Sequence, residues 1–295
     1  LVSKVIAPIA ALHSNAMQLT TFRESQLQAD RVLLLPEDVE LGLARSFNRS
    51  ISGSITFSGV THRPDPLNAP VLSQLTLSVA PNETVVVFAS DVTSRTALLE
   101  LADGLETPLA GTIELDGVNI RQIASDELRQ SITYSTQDPG LFYGTIRQNF
   151  KLADPGLSDT EIKALLDQLD LLNPILKLED GLDTRLSEAT LSGLSMELKR
   201  GIALARSLAR SVARQSSILL LSEPSSDLSR DTRVKLKEWI RSQRGQRTIV
   251  IATADRSFLT LADRFVFLDA GKLVVNDTGD GGLKKINAAL ENAGR

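Results

Sequence analysis

The chain has 295 residues and a net charge of −4, with 42 % hydrophobic and 23 % charged residues. That composition suits a folded chain with a sizeable core and excludes a disordered one. The mild acidity argues against a sequence-independent grip on nucleic acid, which needs clustered Lys and Arg. With no cysteine and only His13 and His62, disulfide scaffolds, thiolate zinc sites and cysteine nucleophiles are ruled out, and histidine-based metal clusters or triads nearly so. The lack of cysteine also fits a reducing compartment.

Residues 1–35 read as mostly helical, and Leu1 to Leu19 is the most apolar stretch. Lys4, His13, Asn15 and Gln18 interrupt it, so it falls short of the roughly 20 apolar residues of a membrane span and lacks the pattern of a signal peptide. The chain starts at Leu1 without an initiator Met, which suggests a piece of something longer or a processed product. Pro36, Gly42 and Ser46 to Ser52 read as a linker. Strands are then expected at Ile55 to Phe57, Val71 to Val79 and Thr84 to Ala89, with a helix from Arg95 to Ala102 and a strand at Thr112 to Leu115 closed by Asp116-Gly117. Ser158 and Glu161 have the capping-box form ahead of Ile162, Leu165, Leu166 and Leu169 at helical spacing. Leu198, Gly201, Ile202, Ala205 and Leu208 repeat that spacing. Lys199, Arg200 and the Arg206/Arg210 pair read as solvated helix faces and core-edge packing.

The last third alternates strand and helix: an apolar run at Ser217 to Leu221, a helix carrying Val234, Leu236, Trp239 and Ile240, strands at Thr248 to Ala252 and Arg264 to Leu268, and a Gly271 turn into Lys272 to Val275. Alternation of this kind requires crossover connections and an α/β sheet covered on both faces, with the helical middle inserted between its halves.

Open α/β sheets bind ligands beyond the carboxyl ends of their strands. Ala89 to Ala97, Ile218 to Ser225 and Ile251 to Asp255 stand at such ends. Together with Ser135 to Ile146 and the stretch from Leu194-Ser195 to Ile202-Ala-Leu-Ala-Arg206, their order resembles the nucleotide-binding domain of ABC transporters over roughly residues 51–280. Phe142 to Thr145 with Arg147 and Asn149, and the leading Ala7 to Ala10 segment, are most similar to exporters of the type I secretion group.

The resemblance implies an α/β P-loop NTPase-like (ABC ATPase) core with a mostly parallel sheet, an antiparallel β part and an inserted helical subdomain. It divides the chain into the end of a transmembrane-domain helix plus linker (1–50), the nucleotide-binding-like domain (51–280, helical subdomain about 138–211) and a carboxy-terminal helix or tail (281–295). It further implies ATP and Mg2+ as ligands. The expected partners are a second nucleotide-binding domain and a membrane domain at the cytoplasmic face of the inner or plasma membrane, and no nucleic acid.

Carried over residue by residue, the resemblance places Arg95 at the phosphate-binding lysine, Thr96 at the hydroxyl that meets Mg2+, Gln137 at the Mg2+-sensing glutamine and Ser195 at the signature serine. Glu223 falls at the general base, and Glu188 at an acid facing the membrane part. The departures fall on ligand-contacting positions. The loop Ala89 to Ala97 has no glycine, and Val92 stands where a glycine would take positive φ and let the backbone form a phosphate nest. Asp91 adds a negative charge beside it. Ser222 replaces the metal-holding Asp, Ala254 the switch histidine, Met196 and Glu197 the signature glycines, and Ser229 the acid of the dimer-contact loop. In Thr61-His62-Arg63-Pro64 only His62 offers a ring for adenine. Two registers fit the signature, Leu194-Ser195 and Leu191-Ser192, the first keeping the Ala203 to Arg206 helix in place. The expectation is a coupling domain with lost or impaired ATP binding and hydrolysis. The alternatives are a functional ATPase with a divergent phosphate loop, built on Arg95, Thr96, Gln137 and Glu223, and a regulatory scaffold outside transport.

Overall fold

In the computed structural model, residues 22–26, 51–138 and 140–293 are described, Asn292 and Ala293 by their backbone alone. The chain divides into two units, 1–41 and 42–295. Of the first, residues 22–26 are helical and exposed. The rest of the expected amino-terminal helix, and the linker as far as residue 50, lie outside the described residues.

The second unit is built on two sheets. A six-stranded sheet has the order β12-β11-β3-β10-β9-β6. It comprises β3 (Thr84–Ala89), β6 (Ile132–Ser135), β9 (Ile218–Ser222), β10 (Thr248–Ala252), β11 (Arg264–Asp269) and β12 (Lys272–Thr278). All neighbours are parallel except β11 and β12. Its central strands are continuous apolar runs because both faces are covered. Val86 and Phe88 enter one core with the helical middle of the chain, while Val85 and Val87 enter another, shared with the second sheet. That sheet is antiparallel, in the order β2-β1-β4-β5, from β1 (Ile55–His62), β2 (Leu72–Val79), β4 (Ala110–Leu115) and β5 (Val118–Asn119). The β11–β12 turn depends on Gly271, at φ +73°, where an added Cβ would come within 2.2 Å of the Val71 carbonyl oxygen.

Helix α1 (Val92–Ala102) follows β3, and α2 (Ser125–Ser131) leads into β6. Between β6 and β9 lie α3 (Ile146–Ala153), α4 (Asp159–Gln168), α5 (Leu172–Leu176), α6 (Glu188–Gly193) and α7 (Met196–Ala213), with β7 (Gly144–Thr145) paired to β8 (Arg185–Leu186). Helices α8 (Arg230–Gln243) and α9 (Gly279–Ala293) complete the chain. The Ser158–Glu161 capping box forms as expected, and a second one, Thr145–Gln148, starts α3. Ile162, Ile202, Ala205 and Leu208 are fully or almost fully buried, as their spacing predicts, but Val234 on α8 is exposed. Among the described residues no helix is long and apolar enough to cross a membrane.

Candidate functional site: the strand-end cleft and its neighbouring groove

Strands β3, β10 and β9 end side by side, since Ala252 is in register with both Val87 and Ser222. The segments that leave these ends carry Asp91 and Arg95, Thr253 and Ala254, and Glu223. The expected phosphate loop is short. Only Ser90 and Asp91 separate β3 from α1, which begins three residues earlier than the sequence pattern suggested. Val92 is therefore not forced to positive φ; it sits in the first turn of the helix and is half exposed. None of residues 89–97 is in the left-handed region, so their amides do not converge into a nest.

The helix starts early because Asp91 caps it. One carboxylate oxygen accepts from the Ser94 amide at 2.6 Å and the other from the Ser94 hydroxyl at 2.7 Å. A helix amino terminus is a ready anion site because its first amides lack partners and its dipole favours negative charge. Here the chain's own carboxylate fills that role. The preceding Ser90 is fixed to the end of β11, donating its amide to the Leu268 carbonyl at 3.0 Å.

Glu223 follows β9 with φ at 43°, a left-handed conformation that costs a non-glycine residue about 1–2 kcal/mol. Its amide donates to the Ala252 carbonyl at 2.8 Å, which turns the side chain toward β10. The carboxylate then meets the Arg95 guanidinium at 2.8 Å, the Thr253 hydroxyl at 2.9 Å, and the Ala254 amide at 2.9 and 3.2 Å. An ionised carboxylate accepts about four hydrogen bonds, so this one is near saturation. Arg95 gives a second bond to the Ala89 carbonyl, at 3.2 Å. Both side chains of the pair are almost entirely buried. The pair thus ties α1, β3, β9 and the segment after β10 into one polar cluster.

The remaining expected site residues gather around this cluster unevenly. Ser222 is buried and lies beside the Tyr134 phenol on β6. Burial, reinforced by the nearby Glu100 carboxylate, pushes that phenol well above the usual tyrosine range. Gln137 is exposed and shares a small cleft with Ser222, Glu223 and Arg200. Thr96 is half-buried on α1. Ala254 is exposed and contributes only its backbone amide. Ser195 caps α7, accepting from the Leu198 amide at 3.2 Å, while Leu191-Ser192-Gly193 belongs to the separate α6. Glu197 faces α8, accepting from the Ser229 amide at 3.2 Å. His62 is buried and presents no open ring face. Glu188 is exposed in the first turn of α6. Among the described residues no group of three or more His, Cys, Asp or Glu could hold a metal ion.

Arg200 departs from the reading as a solvated position, whereas Arg206 packs at the core edge as expected. Arg200 lies in the cleft between Asp138, at 3.3 Å, and Asp227, at 3.4 Å. Arg206 lines a second depression of about 470 Å3, bounded also by Tyr134, Phe142, Leu152 and Arg210. Its guanidinium lies 4.8 Å from the centre of the Phe142 ring and donates to Asn149 and to the Gly140 carbonyl. Asn149, fully buried, accepts from the Phe142 amide and donates to the Phe142 and Thr145 carbonyls, which fixes the loop before α3. The loop's shape is thus set by one side chain seven residues along the chain. Phe142, Tyr143 and Leu152 are left exposed on the rim.

The comparisons agree with this architecture. Residues 72–226 match the family described as ABC transporter. The chain is 28 % identical over 225 residues to a Beta-(1-->2)glucan export ATP-binding/permease protein from Bartonella bacilliformis, covering 76 % of the chain and 37 % of that protein. It is 30 % identical over 245 residues to a Multidrug efflux ATP-binding/permease protein from Mycobacterium bovis, covering 83 % of the chain and 19 % of that protein. The chain therefore spans well under half the length of these curated relatives. A bacterial Atm1-family ABC exporter solved with ATP bound has the same fold, with a TM-score of 0.78 at 22 % identity over 91 % of this chain and 46 % of that one. With the family matched over more than half of the sequence, and the strand order and inserted helices in place, the chain belongs to the ABC transporter family and carries the fold of its nucleotide-binding domain.

Proposed function

We propose that this chain is the nucleotide-binding-like domain of an ABC exporter that couples a membrane domain to a partner nucleotide-binding domain, its own ATP binding and hydrolysis lost or impaired. One observation carries the reading: the Glu223 carboxylate, at the position of the general base, is already engaged by Arg95, Thr253 and Ala254. A general base must hold a free lone pair toward the attacking water, and a phosphate-binding cation must be free to meet phosphate. Here each neutralises the other inside the protein. Asp91 at the amino terminus of α1 opposes an incoming triphosphate by charge and by occupancy. Ser222 offers a hard dication only a neutral, buried hydroxyl. These residues do not fit Mg-ATP.

The coupling part rests on the groove between β6, α3 and α7, whose rim keeps exposed apolar side chains. Tyr134 lines this groove and its phenol lies beside Ser222, so one side chain stands between the strand-end cleft and the surface that would face a membrane domain. Placement at the cytoplasmic face of the inner or plasma membrane, a second nucleotide-binding domain as partner and a type I secretion-like exporter follow from the same reading. The matched relatives are named as export and multidrug efflux ATP-binding/permease proteins, which supports this reading.

Titration of the protein with Mg-ATP by calorimetry, with phosphate release measured in parallel, tests the reading. The expected outcome is no saturable heat at micromolar nucleotide and no release above the buffer rate. Micromolar binding with steady turnover would overturn it in favour of a working ATPase that uses Arg95, Thr96, Gln137 and Glu223.

A further inference from the structure

Arg200 is the one cation of the strand-end cleft that two separate segments share. It lines the cleft from α7, opposite Gln137 in the loop after β6 and Glu223 and Ser226 in the turn after β9. Its Nη1 lies 3.3 Å from an Asp138 carboxylate oxygen in that loop, and its Nε lies 3.4 Å from an Asp227 oxygen in that turn. A guanidinium that grips a carboxylate does so at about 2.7–2.9 Å, so this one stands between two anions and closes on neither. Both nitrogens are buried and neither has a hydrogen-bond partner. Asp138 and Asp227 themselves are exposed. A buried donor short of an acceptor costs free energy, and a closer approach by either carboxylate relieves that cost.

The turn is the segment that needs holding. Glu223 and Asp227 both carry left-handed backbone, at φ 43° and 58°, and such strain persists only where the surroundings over-determine it. Within the turn the Ser226 amide donates to the Glu223 carbonyl at 3.1 Å and the Leu228 amide to the Ser225 carbonyl at 3.3 Å. Its far end is tied to α7, where the Ser229 amide donates to Glu197 at 3.2 Å. We infer that Arg200 is a positioning residue through which the loop after β6 and the turn after β9 compete for one cation. When Asp138 withdraws, the guanidinium closes on Asp227 and the turn tightens. The competition is internal to the chain and holds whether or not nucleotide enters the cleft, so it stands independently of the function proposed above.

Hydrogen exchange of the whole chain, followed by mass spectrometry at peptides covering residues 223–229, tests this. Asp138→Asn removes one competitor and should slow exchange in the turn about two- to fivefold, the range open to a partly exposed ion pair, with the effect shrinking as salt rises. Arg200→Gln should speed exchange in the turn, and in that background Asp138→Asn should no longer slow it. Arg200→Lys, which keeps the charge without the fork, should restore part of the slowing. An arginine that only fills space gives no slowing, so exchange that is unchanged or faster in Asp138→Asn would overturn the inference. If Arg200→Gln does not fold, Asp138→Asn alone, which alters an exposed side chain, still decides. ATP turnover by the unaltered chain would overturn the proposed function and leave this result standing.

Discussion

In the strand-end cleft the Glu223 carboxylate meets a guanidinium, a hydroxyl and an amide, while in the groove beside α7 the Arg210 guanidinium meets one distant carbonyl. Tyr134 lines the groove, and its phenol lies beside Ser222, which lines the cleft. A site that takes ligand keeps part of its bonding capacity unspent, because hydrogen bonds made in advance must be broken before the ligand gains any. By that criterion the cleft has closed on itself and the groove has stayed open. In the cleft Arg95 and Glu223 satisfy each other, while the groove keeps cationic and exposed aromatic groups.

The contrast is most severely tested at the Arg95–Glu223 pair. Glu223→Ala leaves a buried guanidinium without its counter-charge, and breaking such a pair from one side costs about 3–5 kcal/mol. Urea unfolding should show this as a large fall in midpoint. A loss under about 1 kcal/mol would mean that the pair behaves as a surface contact and that the cleft is not closed by it.

Asp103 sharpens the comparison from the other side. It caps the carboxyl end of α1 and, through Arg129, joins the cleft helix to the arginines under the groove. Burial raises its pKa to about 6 despite Arg129 and Arg210. The folded protein therefore holds this proton more tightly than the unfolded chain does. The stability it contributes is fully present below the unfolded value of 3.8 and is lost as pH rises through about 6. Asp103→Asn has no such titration. Its stability relative to the parent should improve by about 2–3 kcal/mol between pH 3.5 and pH 7, read from denaturant melts across that range. A difference that does not change with pH would show that Asp103 titrates as an ordinary carboxyl and that the arginines already compensate it.

The smallest effect is expected at Asp91. Its replacement by Ala removes the cap of α1 and should cost about 1 kcal/mol of stability. Removal of the internal anion also frees the helix amino terminus, so phosphate should then protect the variant against thermal unfolding while leaving the parent unaffected. Protection of both alike would mean that Asp91 does not block the position.

Much of the fold was legible from period and punctuation. The apolar runs over β3, β9 and β10 read correctly because a parallel sheet buried on both faces needs no alternation. The Ser158 box and the spacing of Ile202, Ala205 and Leu208 gave α4 and the buried face of α7. Strand β6 was missed because Ile132-Thr-Tyr-Ser135 is short and half polar, and only pairing with β9 makes it a strand. In the site, the lost glycines and the changed Ser222 and Ala254 were visible directly. The early start of α1 was foreshadowed by an Asp three residues ahead of a Ser, a capping spacing that an alignment to the phosphate loop concealed. Arg200 and Arg210 carried no signal, since an arginine on a helix is most often solvated.

By itself, then, the sequence determined the apolar strands β3, β9 and β10, the cap at Ser158 and the absence of glycine from residues 89–97, because each depends on neighbours within a few residues. Only the tertiary structure decided that Arg95 and Glu223 pair with each other, that Asn149 shapes the groove loop and that Arg210 is left short of a counter-charge. Those outcomes depend on the register that brings the ends of β3, β9 and β10 side by side and on the packing of α7 against β6. Register and packing are set by the whole core, so no local pattern reports them.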